Sequence, residues 1–148
     1  MKKCTLALGC FWKPEENFRN KSGIIETEVG YAGGQSPEVT YREVCGGNTG
    51  HAEVVRLTFD EKIISFKKIL DLFFKMHDPT QKDMQLPDIG KQYRSEIFYE
   101  TEDQKKEAEE VLTEKNKILN GKIKTNISKI KNYCKAEEYH QKYIDKNK

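Results

Sequence analysis

Residues 4–16 read CTLALGCFWKPEE, and the way this stretch divides sets the rest of the fold. Cys4 to Leu8 is a short apolar run and predicts a buried strand. Gly9 breaks it. After Phe11 the helix-start signals gather: Pro14 fits a first turn, where its missing N–H has no intrahelical partner to lose, and Glu15 and Glu16 follow. The helix should run to about Lys21 and stop before Gly23. Ile24 to Tyr31, rich in β-branched and aromatic residues, predicts the second strand.

Working outward, Glu53 to Phe59 alternates with Val55, Leu57 and Phe59 on one face and reads as a third strand. Phe66, Ile69, Leu70 and Phe73 then recur at helical spacing behind Ser65 as N-cap. Ser95 to Glu100 is a fourth strand. Thr101 and Gln104 predict a capping box for a helix whose core stripe is Ala108, Val111, Leu112, Ile118 and Leu119, ended by Gly121. The order β-α-β-β-α-β predicts an α+β fold, a ferredoxin-like two-layer sandwich with a mainly antiparallel sheet and helices on one face. Two irregular stretches interrupt it. Gly30 to Gly50 holds six of the chain's ten glycines, and His77 to Gln92 contains Pro79, Pro87 and Gly90. Loops this long in a compact domain are functional or disordered, and Tyr41, Val44 and Cys45 favour function for the first. From Lys129 onward the pattern is mixed.

With 148 residues, the chain fits a single catalytic domain spanning 1–148. Basic residues number 26 and acidic residues 24, interspersed along the chain. That balance gives no reason to expect nucleic acid or a membrane as partner, and Lys122 to Lys148 reads as a solvated face. No stretch approaches the roughly 20 apolar residues of a membrane span, and Thr5 to Leu8 is too short for a signal peptide. The expected location is cytoplasmic, where thiols stay reduced, so Cys4, Cys10, Cys45 and Cys134 are expected free. Their spacing to His51, His77 and His140 matches no zinc pattern, so no metal is expected.

Cys10 falls at the strand-to-helix turn. Free backbone N–H groups and the helix dipole favour a thiolate there, while Glu15 and Glu16 oppose it. Position alone leaves two readings open: a nucleophile, or a small buried hydrophobe. Phe11 and Trp12, the only tryptophan, either form a pocket for a small apolar group or simply pack in the core.

Gly9-Cys10-Phe11-Trp12 resembles the active-site signature of the A-type peptide methionine sulfoxide reductases. Further blocks agree in order: Gly30-Tyr31-Ala32-Gly33-Gly34; Thr40-Tyr41-Arg42-Glu43-Val44-Cys45 with Thr49-Gly50-His51-Ala52-Glu53-Val54; Asp88-x-Gly90-x-Gln92-Tyr93-Arg94-Ser95; and Ala136-Glu137-x-Tyr139-His140-Gln141. The resemblance covers nearly the whole chain. It implies thiol-dependent reduction of free and protein-bound methionine S-sulfoxide, hence repair of oxidised proteins. Cys10 would be the nucleophile, passing through a sulfenic acid. Glu53 would be the acid that protonates the departing oxygen, helped by the hydroxyls of Tyr41 and Tyr93. That role needs a carboxyl held protonated by apolar surroundings. Phe11 and Trp12 would hold the S-methyl group, with Tyr31 as a third wall, and Asp88 would orient substrate or water. His51 reads as structural. No bound cofactor is implied. The reductant would be an external thiol: glutathione with glutaredoxin, the thioredoxin system, or dithiothreitol in vitro. The protein should be a monomer.

The chain also departs from that pattern. Where many relatives carry a Gly-rich tail with resolving cysteines, the residues up to Lys148 hold none. Cys134, the candidate resolving residue, stands where relatives place an aromatic. Cys45 matches a position often occupied by cysteine without a resolving role. Leu86-Pro87 replaces a usual Gly-Asn, and some relatives use selenocysteine at the nucleophile position. Two other readings remain distinguishable: a Cys-His hydrolase using Cys10 with His51 or His140, by ester hydrolysis; and a thiol redox sensor, by peroxide switching without sulfoxide turnover.

Overall fold

The structure, a computed structural model, describes residues 1–148. Strand β1 (Lys2–Leu8) leads through Gly9 into α1 (Trp12–Arg19), followed by β2 (Ile24–Ala32), a short α2 (Tyr41–Cys45), β3 (Ala52–Phe59) and α3 (Phe66–Met76). A two-residue hairpin follows, β4 (Met84–Gln85) and β5 (Asp88–Ile89), joined across a cis Leu86–Pro87 bond. A 3-10 turn at Lys91–Tyr93 precedes β6 (Ser95–Tyr99), α4 (Glu102–Ile118), β7 (Asn126–Lys129), β8 (Cys134–Lys135), a second 3-10 turn (Glu138–His140) and α5 (Tyr143–Lys146).

Six strands form one sheet in the order β7-β6-β1-β3-β2-β8. Only β6 and β7 run parallel; every other neighbouring pair is antiparallel. The inner four, β6-β1-β3-β2, are two interleaved β-α-β units: β3 lies between β1 and β2, and β1 lies between β3 and β6. That is the ferredoxin-like arrangement the element order predicts.

Alternation along each strand sorts the side chains to two faces. On one, Leu6, Leu8, Val29, Tyr31, Val55, Leu57 and Ile97 meet Phe18 of α1, Ile69, Leu70 and Phe73 of α3, and Ala108 and Val111 of α4. The other carries the small residues Ala7, Ala32 and Ala52 with Val54 and Phe98, and Ile130 and Tyr133 pack over them. Helices therefore cover one face, as expected, and a segment with no clear sequence pattern covers the other.

Some local expectations change. The Gly-rich loop contains α2, closed by a full capping box in which Thr40 Oγ1 accepts from Glu43 N and Glu43 Oε1 accepts from Thr40 N. The α4 box is only half formed: Thr101 Oγ1 accepts from Gln104 N, while Gln104 Oε1 accepts from Glu100 N. The reason is tertiary, since Gln104 Nε2 donates to Lys3 O of β1 and this turns the amide away from the cap. Ile118 is 72% exposed and leaves the core stripe, because α4 outruns the sheet it packs on.

Candidate active site

The turn from β1 to α1 puts Cys10 at the rim of the sheet. Gly9 makes that turn with φ +98°, and a Cβ there would come within 3.0 Å of the Gln85 side chain, so glycine is required twice over. With no side-chain cap at Phe11, the first free backbone donors of α1 turn to the site. Phe11 N–H donates to Glu53 Oε1 at 3.2 Å, and the Trp12 N–H favours the charged form of the Cys10 sulfur. The helix end thus favours the thiolate, as expected, but burial outweighs it. Burial pushes the half-buried Cys10 thiol up to about 11, against the Trp12 N–H, with the negative charge of Glu53 and Asp88 adding to the rise.

Glu53 comes from the first turn of β3, directly opposite Tyr31 in the register with β2. It is 1% exposed on the face that meets the helices. Burial raises its carboxyl to about 8; the Phe11 N–H opposes the rise and Asp88 adds to it. The side chain is therefore a neutral acid at pH 7, next to a neutral thiol.

The aromatic walls follow from the same turn. Phe11 is buried, its ring 5.7 Å from Tyr31 and 5.2 Å from His140. Trp12 is half-buried, stacked on Tyr143 at 3.8 Å and 9°, with its Nε1–H donating to His140 Nδ1 at 3.0 Å. Tyr31 departs from the sequence reading. It is fully buried and its hydroxyl donates to Glu137 Oε1 at 2.8 Å, so it backs Phe11 rather than lining the opening.

Tyr41 opens α2, and its N–H donates to Glu137 Oε2 at 2.8 Å. Tyr93 ends the 3-10 turn that follows Gly90, and Asp88 sits in the β4–β5 hairpin just before it. Asp88 and Cys45 lie within electrostatic reach of Cys10, and Tyr41 and Tyr93 within reach of Glu53. Burial first, then the neighbouring Cys45 thiol, holds the Tyr41 hydroxyl above its ordinary range. Burial and then Glu53 do the same for Tyr93. Both remain O–H donors at neutral pH.

Sequence reasoning quoted the block Ala136 to Gln141 but gave none of its residues a bracing role. Glu137 joins Tyr31 to Tyr41, and His140 holds Trp12. Gln141 clasps the backbone of Val29 through both amide atoms. Glu15 accepts from Lys142 N at 2.6 Å and from Thr27 Oγ1 at 2.8 Å, tying α1 and β2 to this segment.

Neither histidine of the hydrolase reading is directed at Cys10. His51 Nε2–H donates to Asn132 O at 3.1 Å, and its ring fills the space left by Gly34, where a Cβ would lie 2.0 Å from Nδ1. His140 is engaged by Trp12. All four cysteines are free. Cys4 is fully buried in β1, and Cys134 is paired opposite Tyr31 with its sulfur donating to Val39 O at 3.6 Å. No three His, Cys, Asp or Glu side chains converge as a metal centre would need, and no helix is long and apolar enough to cross a membrane.

A thiol, a protonated buried carboxyl, two tyrosine hydroxyls and an aromatic wall at one end of the sheet invite comparison with known proteins. The family model described as peptide methionine sulfoxide reductase matches residues 2–148. The peptide methionine sulfoxide reductase MsrA of Pelagibacter ubique is 57% identical over 146 residues, 99% of each chain. The reduced form of Mxr1 from Saccharomyces cerevisiae superposes with a TM-score of 0.95 at 43% identity, covering 99% of this chain and 85% of that one. Mxr1 in complex with Trx2 gives 0.69 at 29% identity, covering 96% and 84%. Matched along its length in sequence and in fold, and carrying a thiol beside a buried acid, the chain belongs to the peptide methionine sulfoxide reductases of the A type, enzymes that reduce methionine sulfoxide.

Proposed function

We propose that the protein reduces the S epimer of methionine sulfoxide, free or within oxidised proteins, through a sulfenic acid on Cys10. The carrying observation is Glu53: a buried carboxyl raised to about 8 and held by Phe11 N–H beside the thiol. A sulfoxide is a poor electrophile because its oxygen would depart as a strong base, so attack on sulfur needs a proton delivered to that oxygen. Glu53 gives this proton, and the Tyr41 and Tyr93 hydroxyls support the oxygen by hydrogen bonding. The Cys10 sulfur attacks as its own proton leaves, which can restore Glu53. Oxygen passes to Cys10, which is oxidised to the sulfenic acid, and methionine departs. Trp12 and Phe11 take the S-methyl group, Tyr31 stiffens Phe11 from behind, and Asp88 orients substrate or water.

Regeneration needs two thiols: one forms a mixed disulfide with release of water, and the second frees Cys10. A disulfide requires Cα atoms about 4.4–6.8 Å apart with converging Cβ vectors. Cys134 is fixed by its β2 pairing and by its sulfur's contact with Val39 O, and Tyr133 beside it donates to Glu28. Its matched position in relatives holds an aromatic. The sulfenic acid is therefore handed to an external thiol, with Cys134 outside the catalytic cycle. That the yeast neighbour was solved with Trx2 supports a thiol reductant protein as partner. Residues 1–148 act as one catalytic domain, as a monomer in the cytoplasm.

The test is turnover of the separate S and R epimers of a blocked methionine sulfoxide with dithiothreitol. Reduction of S alone is expected. Comparable rates on both would overturn the stereochemical assignment.

A further inference from the structure

His140 is buried in the wall of this site, yet the proposed chemistry gives it no part. It ends the 3-10 turn Glu138–His140 and is 0% exposed. Its ring lies 4.4 Å from Tyr41, 5.2 Å from Phe11 and 5.7 Å from Trp12. An indole N–H can only donate. The 3.0 Å contact from Trp12 Nε1 therefore requires a lone pair on His140 Nδ1 and places the proton of the neutral ring on Nε2. That Nε2–H is buried with no partner. A buried donor left unsatisfied is a standing cost, accepted here because Trp12 dictates the tautomer. Tyr143 stacks flat on the indole, so Trp12 is gripped by one edge and one face.

We propose that His140 is a positioning residue for sulfoxide reduction: the lone pair on its Nδ1 fixes the Trp12 indole, and that orientation shapes the methyl pocket beside Cys10. The inference rests on the reading of Phe11 and Trp12 as that pocket. It makes the pocket sensitive to acid. Protonated His140 carries N–H at both nitrogens, the two donors would face each other at the Trp12 contact, and the indole must turn away. The charged group facing His140 is Glu137 of its own turn, whose carboxylate favours protonation, while burial disfavours it more strongly and holds the imidazole below its ordinary range. From α1 it meets Phe11 and Trp12, from α2 the Tyr41 hydroxyl, and from its own turn the Tyr139 hydroxyl; these stay neutral.

Trp12 is the only tryptophan of the chain, so its emission reads this contact directly. As the wild-type enzyme is taken from pH 7.5 down to 5 and below, emission should shift in one step that lies on the acid side of the ordinary imidazole range. KM for blocked methionine S-sulfoxide should rise with it, by roughly ten-fold for the loss of one hydrogen bond, and by more than kcat changes. His140→Leu should show the low-pH emission and the raised KM at every pH. His140→Asn places an amide oxygen near the Nδ1 position and does not titrate. It should recover most of what His140→Leu loses and stay flat over the same range. Circular dichroism checks the fold, and if His140→Leu fails to fold, the wild-type and His140→Asn titrations decide. An emission shift without any change in KM overturns the positioning role, as does a His140→Asn enzyme that titrates like the wild type. Trp12→Phe separates the premises. If it leaves KM unchanged, the methyl pocket itself is misassigned; if it raises KM while His140→Leu does not, the pocket stands and His140 is dismissed.

Discussion

Glu53→Gln should do two opposite things at once. The amide keeps an oxygen for the Phe11 N–H and nearly the same volume, but it has no proton to give and no charge to bury. In the folded protein the carboxyl titrates near 8, against 4.5 as the ordinary value. Folding therefore binds the proton, and the stability this confers is complete below pH 4.5 and is lost as pH rises through 8. At about 1.4 kcal/mol per pH unit of displacement, the wild type forfeits about 3 kcal/mol by pH 7 and about 5 kcal/mol by pH 9. The variant loses none of it. Urea unfolding at pH 5, 7 and 9 should find Glu53→Gln progressively more stable than the wild type, the gap widening with pH. Over the same range kcat/KM should be lower by roughly 10²-fold or more, and the wild-type decline in rate above pH 8 should be absent. Parallel unfolding free energies from pH 5 to 9, together with near-native turnover at pH 7, would refute both the buried acid and its role.

The hydroxyl pair should show redundancy: Tyr41→Phe and Tyr93→Phe should each reduce kcat less than Glu53→Gln, and the double variant should lose more than the product of the singles. His77 donates Nδ1–H to Phe73 O and accepts from Ser95 at Nε2, and burial lowers its pKa to about 4 from 6.5. Its contribution to stability is present above pH 6.5 and lost as pH falls through 4, about 3 kcal/mol in all; unfolding of His77→Gln between those values should be flatter than that of the wild type. One turnover without reductant should leave about one added oxygen on Cys10, trappable by dimedone. A loss of two hydrogens with a Cys10–Cys134 or Cys10–Cys45 crosslinked peptide would replace the one-cysteine cycle.

The central strands and α3 were legible because each carries its own periodic apolar face, and Ser65 does cap α3, accepting from Lys68 N at 3.1 Å. The edge strands were not. Asn126-Ile127-Ser128-Lys129 has no alternation worth the name, and β8 is two residues long; both exist because β6 and β2 offer unpaired edges. Helix α2 was masked by the glycines around it, although Thr40-x-x-Glu43 is a capping signature in plain sight. At the site, Cys10 was singled out by its strand-to-helix turn and by family likeness, and Glu53 by family likeness alone. Tyr31 was placed one layer too far forward, because its partner Glu137 lies 106 residues away. No local pattern reports that contact.

The bracing of the pocket by Glu137, His140 and Tyr143 has a consequence for how the enzyme is made. The Cys10 thiol is synthesised some 130 positions before the residues that shape its surroundings. Ribosomes add about 5–20 residues per second, so the nascent chain carries Cys10 without a finished pocket for on the order of ten seconds. Throughout that interval it presents a bare cysteine with no means of gripping a sulfoxide. A polypeptide that stalls or is cut before Glu137 lacks every one of these braces, and its Phe11, Trp12 and Tyr41 walls stand unsupported.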